Sequence, residues 1–493
     1  MVEKPPEMQG GSTNGEYAEP ATTHSLRSPC IRTRPREGLI MNKRSQLRRP
    51  LSLSLLVCLM APGLALAQAA TPKEQALEAR VAELEKIVQQ LVSQQQQAPT
   101  ATAPAAKPAD DGKPKIQSSP ILTAANPGTT FSYGGFIKLD SMVTDTSDGR
   151  IVDGTAGRLF YLPSAIPVGP AGADGGDAYT DFHGQFSRFW FSADHTTGDG
   201  DKIKGYIEAD MFGGGSNALV GNETATNTYA VSFRQAYVSL TRPSGAQWLA
   251  GQTWSNFMDV AALPDSVDFV GPTESTVFVR QAQLRYTKGP WSFSMENPQT
   301  TVTPFLGGAT RANSGDNVLP DVTARWQKKG DWGHFSAAGV VRQFKRLDET
   351  TTGASVSLSG KFNLGTSNDL RYAVNAGQGI GRYMGFGLGA DTVLDAGGNL
   401  ETIDGYGAFV AWRHAFSPKL RGNLFYSTAH FDNDTALTGL AATKSAQSMH
   451  ANLIYSPLPK LDVGAELIWG QRSLENDLEG DLRRFHTHVK YSF

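Results

Sequence analysis

From Phe131 to the C-terminus, apolar and polar positions alternate in short stretches separated by turn-forming clusters. Tyr133, Gly135, Ile137, Leu139 and Val143 share one side of the first stretch, and Lys138 and Asp140 share the other. Ile203, Ile207, Ala209 and Met211 oppose Lys204, Tyr206, Glu208 and Asp210 in the same way. Val463, Ala465, Leu467 and Trp469 oppose Asp462 and Glu466, and the last stretch sets Phe485, Val489, Tyr491 and Phe493 against Arg484, His486, His488 and Lys490. A period of two with one apolar face marks a strand that is wet on one side only.

The connections alternate in length. Short ones fall near 198–202, 243–246, 288–290, 329–332, 366–369, 417–419 and 458–460. Long ones span 144–182, 213–229, 255–276, 301–319, 346–353, 381–403, 431–446 and 472–481. Eight long loops and seven short turns predict 16 antiparallel strands, an all-β transmembrane barrel over 129–493 with short periplasmic turns and long outer loops. The spacing leaves room for the roughly 9–11 residues that a tilted strand needs to cross a bilayer. A soluble sandwich would also supply many strands, but neither this alternation nor aromatic residues at strand ends. Here Trp190, Trp248, Tyr286, Trp291, Trp326, Trp412, Tyr426, Tyr455 and Trp469 fall where an aromatic girdle would lie, and the chain ends on Tyr491-Ser492-Phe493.

The first 128 residues are different in kind. Met41 opens a basic stretch with Lys43, Arg44, Arg48 and Arg49, an apolar run covers 51–66, and Ala65-Leu66-Ala67 precedes Gln68. That arrangement predicts a secretory signal peptide over 41–67, with 1–40 a misassigned N-terminal extension and Met41 the true start. A lipoprotein reading at Cys58 is disfavoured by Val57 immediately before it. Both cysteines, Cys30 and Cys58, precede the predicted cut, so a mature chain beginning at Gln68 has no disulfide, thiol nucleophile or Cys-based metal site. Leu77, Val81, Leu84, Val88 and Leu91 follow a 4-3-4-3 spacing, which predicts a short α-helical coiled coil over 68–97 on the periplasmic side. Val at a with Leu at d leans toward a parallel dimer, although a lone amphipathic surface helix would show the same stripe. Residues 98–128, rich in Ala, Pro and Gln, read as a linker that cannot bury a core.

Composition removes other classes. The net charge of −2 lacks the basic surplus of a nucleic-acid binder, so no nucleic-acid partner is expected. Apart from the N-terminal region no run of 18 apolar residues occurs, which excludes a helical membrane protein. Gly377-x-Gly379-x-Gly381 has no helix predicted after it and reads as a loop; His486 and His488 lack a third ligand in sequence, so no metal and no cofactor are expected. No register-matched catalytic set suggests an enzyme.

Several segments together resemble the DcaP-type family of trimeric outer-membrane porins. They are Tyr133-Gly134-Gly135-Phe136-Ile137-Lys138-Leu139-Asp140, Ser187-Arg188-Phe189-Trp190-Phe191, Phe233-Arg234-Gln235-Ala236-Tyr237-Val238, Gly251-Gln252-Thr253-Trp254-Ser255 and Val279-Arg280-Gln281-Ala282-Gln283-Leu284-Arg285-Tyr286. The resemblance implies a homotrimer of 16-stranded barrels in outer-membrane lipid and uptake of small anionic solutes such as dicarboxylates. It favours a trimer over the dimer that the heptad seam suggests.

A barrel of this size leaves a water-filled channel, and parity assigns its lining. The basic set is Lys138, Arg188, Lys204, Arg285, Arg325, Arg342, Lys361, Arg371, Arg413, Arg421, Arg484 and Lys490; the acidic set is Asp140, Asp194, Glu208, Asp210, Glu296, Asp321, Asp462 and Glu466. A basic wall lowers the barrier for anions, and the planar fork of Arg suits carboxylates, although wall charges also pair across strands. Arg234 and Arg280 share parity with apolar neighbours, so they must sit at the rim, in a subunit contact, or after a bulge that turns them toward the constriction. The stretch 255–276 carries Phe257, Met258, Leu263 and Phe269 beside Asp259, Asp265, Asp268 and Glu274. It is too apolar for a solvated loop, and is expected to fold into the barrel, where its carboxylates face wall arginines; packing at a subunit contact is the alternative. The rival to a channel is a barrel whose coil and linker tether the outer membrane to periplasmic components.

Overall fold

A computed structural model of the full chain describes Lys86 and residues 128–170, 174–213 and 229–493. The first strands are β1 (Thr129–Thr146), β2 (Tyr179–His183), β3 (Arg188–Thr196), β4 (Lys202–Gly213), β5 (Ala230–Thr241), β6 (Gln247–Trp254), β7 (Arg280–Lys288) and β8 (Trp291–Glu296). There follow β9 (Thr300–Thr303), β10 (Ala312–Ser314), β11 (Asp321–Gly330), β12 (Gly333–Arg346), β13 (Glu349–Leu364) and β14 (Asn368–Gln378). The chain ends with β15 (Thr392–Leu394), β16 (Leu400–Thr402), β17 (Asp404–Ser417), β18 (Leu420–Asp432), the one-turn helix α1 (Thr435–Thr438), β19 (Thr443–Leu458), β20 (Leu461–Leu474) and β21 (Glu479–Ser492).

Seventeen of these segments form one sheet. β2 and β3 both pair β1, at Asp140–Thr144 and Thr129–Phe136 respectively, so they are two halves of one strand and the sheet has 16 staves. Neighbours are antiparallel throughout, and β21 pairs β1 from Phe136↔Ser492 to Thr146↔Leu482, which closes the barrel. Closure leaves no strand edge facing hydrocarbon, where an unpaired backbone group would cost several kcal/mol (about the price of a lost hydrogen bond or more).

The two faces differ as the alternation predicts. On β1, Ile137 and Leu139 point outward at 63% and 52% exposure, while Lys138 and Asp140 point inward at 6% and 0%. Trp248, Trp291, Trp412, Tyr426 and Tyr455 stand exposed on the outer wall.

Three features depart from the sequence reading. The stretch 346–353 is not a long loop: β12 and β13 run on until Arg346 faces Glu349, leaving a two-residue turn with Leu347 at φ 54°. Its polar Thr-rich strand ends look like loop because they lie past the apolar band. The loops after β8 and β14 pair with each other, β10–β9–β15–β16, into a four-stranded sheet where the alternation predicts only long connections. The turn before β21 is shorter than 472–481, with Leu474 N bonding Leu478 O. The seam Leu77, Val81, Leu84, Val88 and Leu91, the signal segment and the linker lie outside the described residues; Lys86, within the seam segment, is helical.

The lipid-facing assignment predicts that Val356→Arg, on the exposed face of β13, lowers stability by about 2–4 kcal/mol if it sits near the bilayer centre. Urea unfolding in lipid vesicles measures this directly.

Candidate functional site

The lumen is built from the inward residues of the staves and from three loops that fold down among them. Arg234 shows how the wall is made. Glu208 faces Gln235 across β4 and β5 while Ala209 faces Phe233, so Arg234 is the extra residue of a bulge. The bulge reverses parity and turns Arg234 inward, where it is 2% exposed and donates to Glu208 at 2.7 Å and Asp210 at 2.6 Å. Arg280, at the start of β7, lies over the Trp254 ring at 5.0 Å and the Phe278 ring at 5.5 Å. Arg188, Arg234 and Arg280 are within electrostatic reach of one another and of Glu208 and Asp210.

The chain between β6 and β7 crosses the lumen. Its carbonyls are held by wall cations: Lys138 Nζ donates to Val267 O at 2.8 Å, Arg325 to Met258 O at 2.9 Å, and Arg371 to Leu263 O. Its carboxylates are held as well. Asp259 accepts from Arg325 at 3.1 Å, His334 at 2.7 Å and Ser359 at 3.0 Å; Asp265 accepts from Arg421. In return the wall carboxylate Glu466 accepts from Ser266 Oγ and from Val267 N at 2.7 Å. Asp268 and Glu274 make no salt bridge to an arginine among the described residues. Asp268 accepts from Tyr161 N at 3.1 Å beside His486, and Glu274 accepts from Tyr161 Oη and Ser448. Burial raises the Asp268 carboxyl, but the His486 ring and the Arg484 charge outweigh it and hold it below the usual range. Glu274 is pushed above that range by burial, which its hydrogen bonds do not fully offset.

Two further loops take wall cations out of contact with water. Arg342 is 2% exposed, clamped by Asp391 at 2.7 Å and Gly379 O at 2.7 Å from the chain after β14, and by Asp321 at 3.2 Å. Arg484 is 2% exposed under the chain after β1, donating to Gly157 O at 2.7 Å. The remaining basic positions divide by partner. Lys204 pairs Asp194 at 3.1 Å, Arg371 pairs Asp369 at 2.7 Å with Arg413 at 3.6 Å, and Lys490 pairs Asp462 at 3.3 Å beside Arg421 at 3.2 Å. Arg188, Arg280 and Arg285 stay partly exposed and make no salt bridge among the described residues. Arg188 Nε and Arg280 Nη1 have no hydrogen-bond acceptor among the described residues. Lys361, at the short-turn end of β13, is partly exposed.

Sequence reasoning missed Tyr161, Arg382 and Asp391. Phe160, Tyr161 and Ile166 are at most 1% exposed, in a stretch that the alternation marks only as a long connection. The apolar content that singled out 255–276 was present there too. Gly379, at φ +65°, follows the last residue of β14 without a helix after it, and among the described residues no cluster fit to hold a metal ion occurs.

The sequence profile of the DcaP outer membrane protein family matches residues 64–493. The chain belongs to that family. Among solved structures, the outer membrane channel DcaP of Acinetobacter baumannii aligns with TM-score 0.60 at 22% identity, covering 75% of this chain and 99% of its own. Salmonella typhi OmpF in complex with daunomycin aligns at TM-score 0.48 and 12% identity, over 74% of this chain and 98% of that one. A loop L8 deletion mutant of OmpT of Vibrio cholerae aligns at 0.47 and 12%, over 74% and 100%. No curated protein sequence matches. As a member of that family, this barrel is an outer-membrane protein and not an enzyme.

In this DcaP-family barrel, Glu466 holds the crossing loop at Ser266 and Val267. Glu466→Ala leaves Val267 N and Ser266 without their acceptor, at about 1–3 kcal/mol. Hydrogen exchange across Ser266–Phe269 is expected to quicken accordingly, while exchange in β20 stays slow.

Proposed function

We propose that the chain forms a water-filled, anion-leaning diffusion channel for small carboxylates or dicarboxylates. The observation that carries this reading is the unequal pairing of the lumen. Its carboxylates each keep at least one partner among lysines, arginines, histidines, hydroxyls, amides and backbone donors, although Asp140 Oδ2, Asp268 Oδ1 and Asp321 Oδ1 are buried without one, whereas Arg188, Arg280 and Arg285 are half-buried and make no salt bridge among the described residues. A partly desolvated guanidinium offers two parallel donors to a carboxylate, and several such groups in series bind without trapping. We further infer a homotrimer in outer-membrane lipid, with 68–97 as a periplasmic coil, on the strength of the heptad seam and the resemblance of residues 64–493 to the DcaP-type family of trimeric porins.

Reversal potential under a KCl gradient in a planar bilayer tests the reading. Three equal conductance steps with anion-selective sign are expected, and Arg188→Ala with Arg280→Ala is expected to lower the anion/cation permeability ratio about twofold. Cation selectivity of the unaltered protein contradicts the anion preference. Folded protein that conducts nothing favours the tether instead.

A further inference from the structure

The outer wall carries a recess that the channel does not explain. Across β6, β7, β8, β11, β12 and β13 the register sets Trp248, Tyr286, Phe293, Ala324, Gly339 and Val356 side by side. Bulky side chains flank Ala324 and Gly339, so the wall dips between them. The dip is a trough of about 520 Å³. A Cβ built on Gly339 would meet nothing nearer than 3.9 Å, so the floor is open. A second apolar recess of about 360 Å³, lined by Tyr286, Lys288, Trp291 and Phe293, continues it toward the short-turn end.

Cations stand at that end. Lys288 faces Trp291, Trp291 faces Trp326, and Lys328 lies two residues beyond Trp326 on the same outer face. Both lysines are exposed, and no salt bridge among the described residues engages either. Short turns face the periplasm, so this end meets the headgroups of the inner leaflet. Lysine stems lie along apolar surface while the ammonium reaches phosphate.

We propose that this trough binds one phospholipid with an anionic headgroup, its acyl chain along Ala324 and Gly339 and its phosphate at Lys288 and Lys328. Charge selects this occupant over a second copy of the chain. A protein neighbour would have to bring carboxylates to satisfy two unpaired ammonium groups at an otherwise apolar contact, whereas an anionic lipid supplies the chain and the charge together.

The test uses the full chain in phosphatidylcholine vesicles doped with phosphatidylglycerol or phosphatidylcholine carrying brominated acyl chains, which quench nearby tryptophan. Brominated phosphatidylglycerol is expected to quench at about tenfold lower mole fraction than brominated phosphatidylcholine. Lys288→Gln with Lys328→Gln is expected to bring the two lipids to parity. Ala324→Phe, which fills the floor, is expected to remove the excess quenching with channel conductance unchanged, which shows that the barrel has folded. Equal quenching by both lipids in the unaltered protein overturns the proposal, as does a preference that survives the double lysine variant. Disulfide-linked chains from Gly339→Cys, in a protein lacking Cys30 and Cys58, would place a second copy in the trough and overturn it as well.

Discussion

Hydrocarbon gives a backbone N–H or C=O no partner, and everything else in this protein follows from meeting that constraint. The pairing of β1 with β21 removes the last edge, and the dyad of each stave then sorts side chains into a lipid face and a lumen face. A lumen sorted this way collects charge at high density. Charges out of bulk water are costly unless paired, so the three infolded loops bring carboxylates and carbonyls to wall arginines and lysines that would otherwise be stranded. Arg342, gripped by Asp391, Gly379 O and Asp321, is the fullest case.

The crossing loop is held from both sides of its own charge. Wall cations take its carbonyls and the carboxylates of Asp259 and Asp265; the wall carboxylate Glu466 takes its amide and hydroxyl. Such reciprocal pairing fixes where the loop sits, because sliding it one residue would put like charges together. Arg188, Arg280 and Arg285 are left without a salt bridge among the described residues.

Much of this was legible in the alternation. A regular pleat repeats every two residues, and Lys138, Arg325, Arg371 and Arg421, which share a parity face with polar neighbours, are the residues that reach the crossing chain from the wall. Irregular backbone was not legible. The bulge at Arg234 left only an indirect trace, an arginine on an apolar face, and that contradiction was the signal. The β9–β10–β15–β16 sheet has three- and four-residue strands, too short for periodicity to register. The burial of Arg342 and Arg484 depends on loops distant in sequence, so parity marked them as lining without showing that they are covered. Tyr161 was legible in principle, since its neighbours Phe160 and Ile166 are as apolar as those of the loop that was recognised.

The central claim is that the chain between β6 and β7 rests across the lumen of the folded channel. Ser275 on that chain and Ser427 on β18 place their hydroxyl oxygens 3.0 Å apart, and Cys30 and Cys58 both precede the barrel. The decisive measurement is single-channel conductance of a Ser275→Cys, Ser427→Cys protein, lacking Cys30 and Cys58, before and after oxidation. The account predicts that the disulfide forms readily in the membrane and leaves the conductance as it was, since it fixes the loop where it already lies. A pair that does not cross-link, or a current that collapses when it does, would contradict it.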